Sequence, residues 1–407
     1  MYNTHRVAEF MKSLKNSLFF LLIICLLGLT QLALSPAGLA PELLGQGAHD
    51  DDAFFAASLC LPDLYMVNPG RCLPSGASQS ISKLVESGFP YPLRELTAAS
   101  PDALLGIIPV SIARINLEDT ESAPLYATFA DAIANNNPTR FIAPGVLRYV
   151  SYINRSDHEG KAYLQLSSGE WLRASPVAYT RFQGMQFTQN PVNDFGWIVD
   201  QTPSYTAPSF AAPETGRSYY RENKIQIYNT VEAETVFWYE VAPNEWVNSL
   251  KARRVHFDPT PPEGIDTDRW ISINLFEQTL VIYEGGDLKF VTLLASGMEP
   301  FYTQPGIFPI YQKLKLETMQ GAFTADRSDF YYLQDVPWTM YFDQARAIHG
   351  SYWRTYFGYP QSHGCVNLSP GDANWVFKWA EEGDWVHVYD PSGRTPTDPG
   401  YYGPGAP

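Results

Sequence analysis

Two histidines and a cysteine fall within seventeen residues near the C-terminal end of the chain. Ala347-Ile348-His349-Gly350-Ser351-Tyr352-Trp353 is followed by Gln361-Ser362-His363-Gly364-Cys365-Val366-Asn367-Leu368. A thiol at neutral pH is only partly ionised, so a nucleophilic cysteine needs a base or a positive charge beside it, and histidine is the usual supplier. The Gly364-Cys365 step allows a tight turn whose backbone N–H groups can face a developing oxyanion. The chemistry these types permit is acyl transfer through a thiolate. The rival is a zinc site on His349, His363 and Cys365. No Cys-x-x-Cys or His-x-x-x-His pattern completes such a set, so no metal and no cofactor is expected.

The elements that must position these residues are strands. Trp270–Leu275, Thr279–Tyr283 and Lys289–Leu294 are short apolar runs joined by tight turns, the second pair through Gly285-Gly286. Gln304-Pro305-Gly306 is a turn, Phe308–Leu314 a further strand, and Phe330–Leu333 and Thr339–Phe342 lead into the first histidine. After the cysteine, Ser369-Pro370-Gly371-Asp372 has the form of a helix start: a capping serine, proline in the first turn and an acid close behind. Trp375 and Trp379 share one face of that helix, Gly383 can end it, and Asp384–Tyr389 gives a last strand. The Pro/Gly-rich stretch 391–407 reads as a disordered tail.

Upstream of a Pro-rich linker, 258–267, the pattern is duplicated. Segments 117–182 and 195–257 each run through short alternating strands to a Glu-Trp-aliphatic step, Glu170-Trp171-Leu172 and Glu245-Trp246-Val247, with a period of about 75 residues. Two small β-barrels are expected, with Trp171 and Trp246 filling their cores in preference to binding a polymer. Residues 41–116 read as a loop-rich stalk. The fold class is therefore mostly β: a β-rich domain at 268–390 with one clear helix, preceded by two small barrels.

The N-terminus carries Arg6, Lys12 and Lys15 ahead of an apolar run, Leu18–Leu34, and then small residues up to Ala40. Residues 1–40 read as a cleaved signal or as a retained membrane anchor, and both readings place the rest of the chain outside the cytoplasmic membrane. Cys60 and Cys72 bracket a short loop, and in an exported protein such a pair is expected to be a disulfide, which leaves Cys365 as the unpaired thiol of the mature chain. With 407 residues and 45% hydrophobic content the chain can bury substantial cores. A formal charge of −15 argues against a nucleic-acid partner, because phosphate binding needs a basic surface.

Residues 268–390 resemble the catalytic domain of the L,D-transpeptidases of the YkuD type. The likeness is carried by Ser362-His363-Gly364-Cys365-Val366-Asn367, by Ile348-His349-Gly350, by the approach Val336-Pro337-Trp338-Thr339-Met340-Tyr341-Phe342 and by the opening hairpin. The two upstream copies resemble bacterial SH3-like wall modules more loosely, through Pro-x-Tyr and Glu-Trp. What the catalytic resemblance implies is a peptidoglycan-crosslinking enzyme acting on stem peptides. Cys365 would be its nucleophile, His349 its base and the Gly350 carbonyl the group that orients the ring. The resemblance further implies that Gly364 and Cys365 N–H groups serve as oxyanion donors, and that Ser362, His363 and Asn367 support the loop. Tyr341 and Trp353 would be walls of the substrate groove. Water in place of an acceptor amine would make the same site a carboxypeptidase, and a cell-wall-binding protein with an idle catalytic domain is the other reading kept open. The spacer from His349 to Ser362 is short for the family, and Gln304-Pro305-Gly306 stands where a Thr-Pro-x-Gly step is usual.

Overall fold

Apolar runs such as Thr279-Leu280-Val281-Ile282-Tyr283 do not alternate, and a strand of that kind must be covered on both faces. The computed structural model, which describes residues 84–86, 89 and 95–403, puts this run in the middle of a sheet with a core on each side. The signal or anchor at 1–40, the Cys60/Cys72 pair and most of the expected stalk lie outside the described residues. Among the described residues no helix is long and apolar enough to cross a membrane. All of them belong to one compact unit, Leu61–Pro407.

The protein is mostly β, and two seven-stranded sheets carry the stretch that holds His349 and Cys365. The first runs in the order Ala98–Ala99, Met185–Phe187, Asp287–Leu293, Thr279–Glu284, Arg269–Asn274, Trp385–Tyr389, Gly306–Pro309. The second runs Val366–Leu368, Arg346–Gly350, Tyr331–Asp343, Leu147–Tyr152, Ser111–Arg114, Ser175–Pro176, with Gln312–Gly321 paired to the long strand Tyr331–Asp343. Ile271, Ile273, Leu280, Ile282 and Phe290 of the first sheet pack against Met340, Phe342, Ile348, Val366 and Leu368 of the second. The helix Pro370–Trp379 closes this core with Ala373 and Val376. Its capping serine is as expected: Ser369 accepts from the Asp372 N–H, and Pro370 opens the first turn. The helix stops at Ala380, before Gly383. Trp375 stacks on Phe290 at 4.3 Å, and the Arg269 guanidinium sits over Trp379 at 4.2 Å.

Four features differ from the expectations. Residues 98–114, assigned to a stalk, supply a strand to each sheet, since Ala98–Ala99 pairs with Met185–Phe187 and Ser111–Arg114 with Leu147–Tyr152. The stretch Phe308–Leu314 is two strands in two sheets. Gly306–Pro309 pairs with Trp385–Tyr389, the chain turns the corner at buried Ile310, and Gln312–Gly321 pairs with the long strand. Within the linker, Ile265 is buried in the second core. The tail is ordered as far as Gly403: Asp390 accepts from the N–H groups of Ser392 and Thr395, Pro399–Tyr401 forms a 3₁₀ turn, and the Gly403 carbonyl accepts from Arg346 Nη2 at 3.0 Å.

The two upstream copies have their own cores but differ in build. The first distributes its strands over small sheets at Ala123–Ile142 and Asn154–Arg173, includes a short helix Phe129–Ala134, and gives Leu147–Tyr152 and Ser175–Pro176 to the catalytic sheet. The second builds a three-stranded and a five-stranded sheet around Ile198, Ile225, Tyr239 and Val247. Trp246 is buried, and Trp171 lies half-buried against Phe129.

Candidate active site

The strand Arg346–Gly350 is buried at every position, and it is held from both sides. It pairs antiparallel with Tyr331–Asp343 and parallel with Val366–Leu368, in the register Ile348 to Val366 and His349 to Asn367. Continuing that register by one residue sets Cys365 beside Ala347. Residues two apart on a strand face the same side, so His349 and Cys365 project from one face of neighbouring parallel strands. From a strand spacing of about 4.8 Å and a rise of about 3.3 Å per residue their Cα atoms are about 8 Å apart, within reach of the two side chains.

His349 is only 2% exposed. Its Nδ1 lies 3.4 Å from the Gly350 carbonyl oxygen, which assigns the proton to Nδ1 and leaves Nε2 with its lone pair. Burial pulls the imidazole pKa down to about 4, against the pull of the Gly350 carbonyl, and the Arg354 charge adds to the fall. The ring is neutral at physiological pH. Trp353 lies against it with ring centroids 5.7 Å apart.

Cys365 is a free, partly exposed thiol with Sγ 3.8 Å from the Ala345 carbonyl oxygen. Burial raises its pKa, while the Ala347 N–H and then the charges of Arg346 and Arg354 oppose the rise. Its loop is tied down by short bonds. Ser362 Oγ donates to the Cys365 carbonyl at 2.6 Å and accepts from the Gly364 N–H at 3.1 Å. Asn367 Nδ2 donates to the same carbonyl at 3.2 Å, and Thr303 Oγ1 donates to the Gly364 carbonyl at 2.8 Å. Gly364 has φ +123°, a conformation that favours glycine, and a Cβ there would make a tight 3.2 Å contact with Arg346 Nε.

Several expected residues do meet in this place. His349, Gly350, Ser362, Gly364, Cys365, Asn367 and Trp353 form one neighbourhood, and Tyr341 is close enough for its phenol to feel the thiol. Its pKa is pushed up to about 12 by burial, Glu317 and Cys365. The Gly364 N–H, one of the two expected oxyanion donors, is already bonded to Ser362 Oγ. The His363 ring stacks on Phe323 at 4.2 Å and 10° and packs on Phe301 at 4.9 Å. Those phenylalanines come from the tip of the long hairpin and from the loop after Leu294, two loops whose sequence carries no motif.

Sequence reasoning missed Arg346, Arg354, Tyr311 and Tyr331. The available signal was a pair of arginines bracketing His349 inside an otherwise apolar stretch. A cleft of about 770 Å³ lies elsewhere, between the second upstream copy and the loop Ser296–Thr303, and neither Cys365 nor His349 lines it. Among the described residues no group of three His, Cys, Asp or Glu side chains is placed to hold a metal ion.

Residues 268–388 match the family model of the YkuD L,D-transpeptidase catalytic domain. Similar solved structures include an L,D-transpeptidase from Stackebrandtia nassauensis, 26% identical, covering 32% of this chain and 57% of that one with a TM-score of 0.25. A mutant form of an Enterococcus faecium L,D-transpeptidase is 26% identical over 31% of this chain and 50% of that one, with a TM-score of 0.28. An L,D-transpeptidase from Xylanimonas cellulosilytica is 27% identical over 33% and 65%, with a TM-score of 0.26. The chain thus spans little more than half of the first two, and the assignment rests on the family model and not on these superpositions. No curated protein matches the chain in sequence. Over residues 268–388 the chain is thus similar to the YkuD L,D-transpeptidase catalytic domain.

Proposed function

We propose that the protein is a peptidoglycan L,D-transpeptidase working through a thioester on Cys365. The observation that carries this reading is the parallel register of His349 with Asn367, which sets a neutral imidazole and a free thiol on one face of adjacent strands. His349 Nε2 takes the Sγ proton, with the ring oriented by the Gly350 carbonyl. The thiolate attacks the carbonyl of the third stem residue, and the Cys365 N–H receives the oxyanion. Collapse breaks the bond to the terminal D-Ala, whose amine leaves with the proton held by His349. An amine on a neighbouring stem then attacks the thioester carbonyl, gives its proton to His349 and expels the thiolate. Water in the second step makes the same site a carboxypeptidase. Tyr341 and Trp353 flank the groove, and the N-terminal segment delivers the enzyme to the wall side of the membrane, where stem peptides are found.

The experiment is intact-mass analysis after incubation with a carbapenem. Wild type is expected to gain one covalent adduct and Cys365→Ala none. Folded wild type without an adduct refutes the acyl-enzyme and favours a wall-binding protein with an idle domain. Products from purified muropeptides separate crosslinking from trimming.

A further inference from the structure

Two guanidinium groups flank the cysteine loop, and they are not equivalent. Arg346 is 5% exposed, and its charge is met by Asp343 at 2.8 Å. Arg354, partly buried on the loop that follows the histidine strand, donates from Nε to Asn367 Oδ1 at 3.0 Å, from Nη1 to Gln361 Oε1 at 3.3 Å and from Nη2 to the Gln361 carbonyl at 2.5 Å. All three acceptors are neutral. Among the described residues no carboxylate pairs with Arg354, an unusual state for a guanidinium withdrawn from water, since withdrawn charges are normally matched. The same Asn367 that accepts from Arg354 donates to the Cys365 carbonyl at 3.2 Å, so one amide links the cation to the residue that is to become an anion.

We propose that Arg354 is a positioning residue that holds an uncompensated positive charge for the thiolate of Cys365, with Asn367 and Gln361 as its cradle. The counter-ion of this guanidinium is the nucleophile itself. The Cys365 charge is the one attraction that offsets the loss of hydration at Arg354, whose pKa is pushed down to about 10. His349 supplies no standing charge: its resting ring is neutral, it becomes positive only once it has taken the Sγ proton, and the Arg354 charge acts against that protonation. The other charged and titratable groups facing the thiol are Arg346 with its partner Asp343, and the phenols Tyr311, Tyr331 and Tyr341. His363, two residues before it, is turned onto Phe323 and has Asp329 and Arg354 as its charged neighbours. None of these supplies an unpaired standing positive charge, so removal of Arg354 leaves the thiol without one before its proton moves to His349.

The proposal rests on Cys365 being the nucleophile, and its test is chosen to be readable without turnover. The rate of iodoacetamide alkylation at Cys365, followed by peptide mass mapping between pH 5 and 10, gives the thiol pKa in the full chain. Arg354→Gln is expected to raise it by about one pH unit, and Arg354→Lys to keep it within about a third of a unit of wild type. Because a lost positive charge raises every nearby pKa, the acid limb of carbapenem acylation, set by His349, should move up in Arg354→Gln as well. A merely structural role would not shift both in the same direction and would not be rescued by lysine. An unchanged thiol pKa in folded Arg354→Gln overturns the proposal, as does an equal rise in both variants. Should Arg354→Gln fail to fold, Arg354→Lys decides, since a raised thiol pKa with the charge retained overturns it. Wild type that alkylates normally but forms no carbapenem adduct refutes the proposed function instead and leaves the alkylation result to decide this inference.

Discussion

Asp372 is a carboxylate in the wrong place for an ion, and its replacement by asparagine should stabilise the protein. It is 1% exposed at the start of the helix after the cysteine. It accepts from the Gly184 N–H at 2.8 Å, from Thr292 Oγ1 at 2.7 Å and from Ser369 Oγ at 2.9 Å. Burial outweighs these three donors and raises its pKa from the ordinary 3.8 to about 6. A carboxyl whose pKa is raised in the fold binds its proton more tightly folded than unfolded. Its contribution is therefore most favourable below pH 3.8 and is lost as pH rises through 6, by about 3 kcal/mol in all. In Asp372→Asn the amide oxygen still accepts from Gly184. The hydroxyls of Ser369 and Thr292 can accept from the new NH2 because they also have carbonyls to donate to, Phe182 at 2.8 Å and Leu293 at 3.2 Å. After about 1–2 kcal/mol for the weaker bonds and the lost helix-dipole term, the variant should gain about 1–2 kcal/mol at pH 7.5. That gain should vanish by pH 4.5. Denaturant midpoints of the two proteins at both pH values measure it. A variant destabilised by the same amount at pH 4.5 and 7.5 would refute the reasoning, because it would mean that the three donors hold the carboxylate ionised despite its burial.

Three further expectations concern the site and its frame. With His349 at about 4, carbapenem acylation should be insensitive to pH from 8 down to about 5 and should halve near 4 as Nε2 becomes protonated; stopped-flow acylation rates read this directly. His349→Ala should slow acylation by about 10²–10⁴-fold at pH 7 in a sample that circular dichroism shows to be folded. Gly364→Ala must place a Cβ in a left-handed conformation against Arg346 Nε, so a loss of about 1–3 kcal/mol and of adduct formation is expected, checked by denaturation and intact mass.

The motif residues were legible because chemistry fixes their types and glycine fixes their turns, and the hairpin from Arg269 to Leu293 was legible because its apolar runs are local. The capped helix was read from Ser369, Pro370 and Asp372 at its start and from the spacing of Trp375 and Trp379. What could not be read were contacts between distant segments. Tyr331 to Leu333 pairs in parallel with Leu147 to Tyr149, and Ser151 Oγ bonds to Asp335, yet nothing in Leu147–Tyr152 distinguishes a barrel strand from one that joins a neighbouring sheet. Arg354 escaped notice for a related reason. A single arginine after two aromatics reads as surface until Gln361 and Asn367 are seen to fold around it. The tail looked disordered by composition, but Arg346 and Tyr402 give it a docking point at 5.3 Å that composition does not encode.

The shared sheets separate two meanings of the word domain. The stretch 268–388 is a unit of descent, since it is what the family model matches. It is not the unit of folding, because Met185–Phe187 covers one edge of its first sheet and Leu147–Tyr152 lies against the strand next to His349. Tyr149 packs on Tyr352 at 5.7 Å, and Tyr352 on Trp353 at 4.9 Å, so the wall behind the histidine begins in the upstream copy. A fragment cut at the family boundary should therefore expose two raw sheet edges and aggregate, whereas one beginning before Ala98 should remain soluble, a difference that size-exclusion chromatography reports. In this chain the stretch 268–388 shares both of its sheets with the upstream segments.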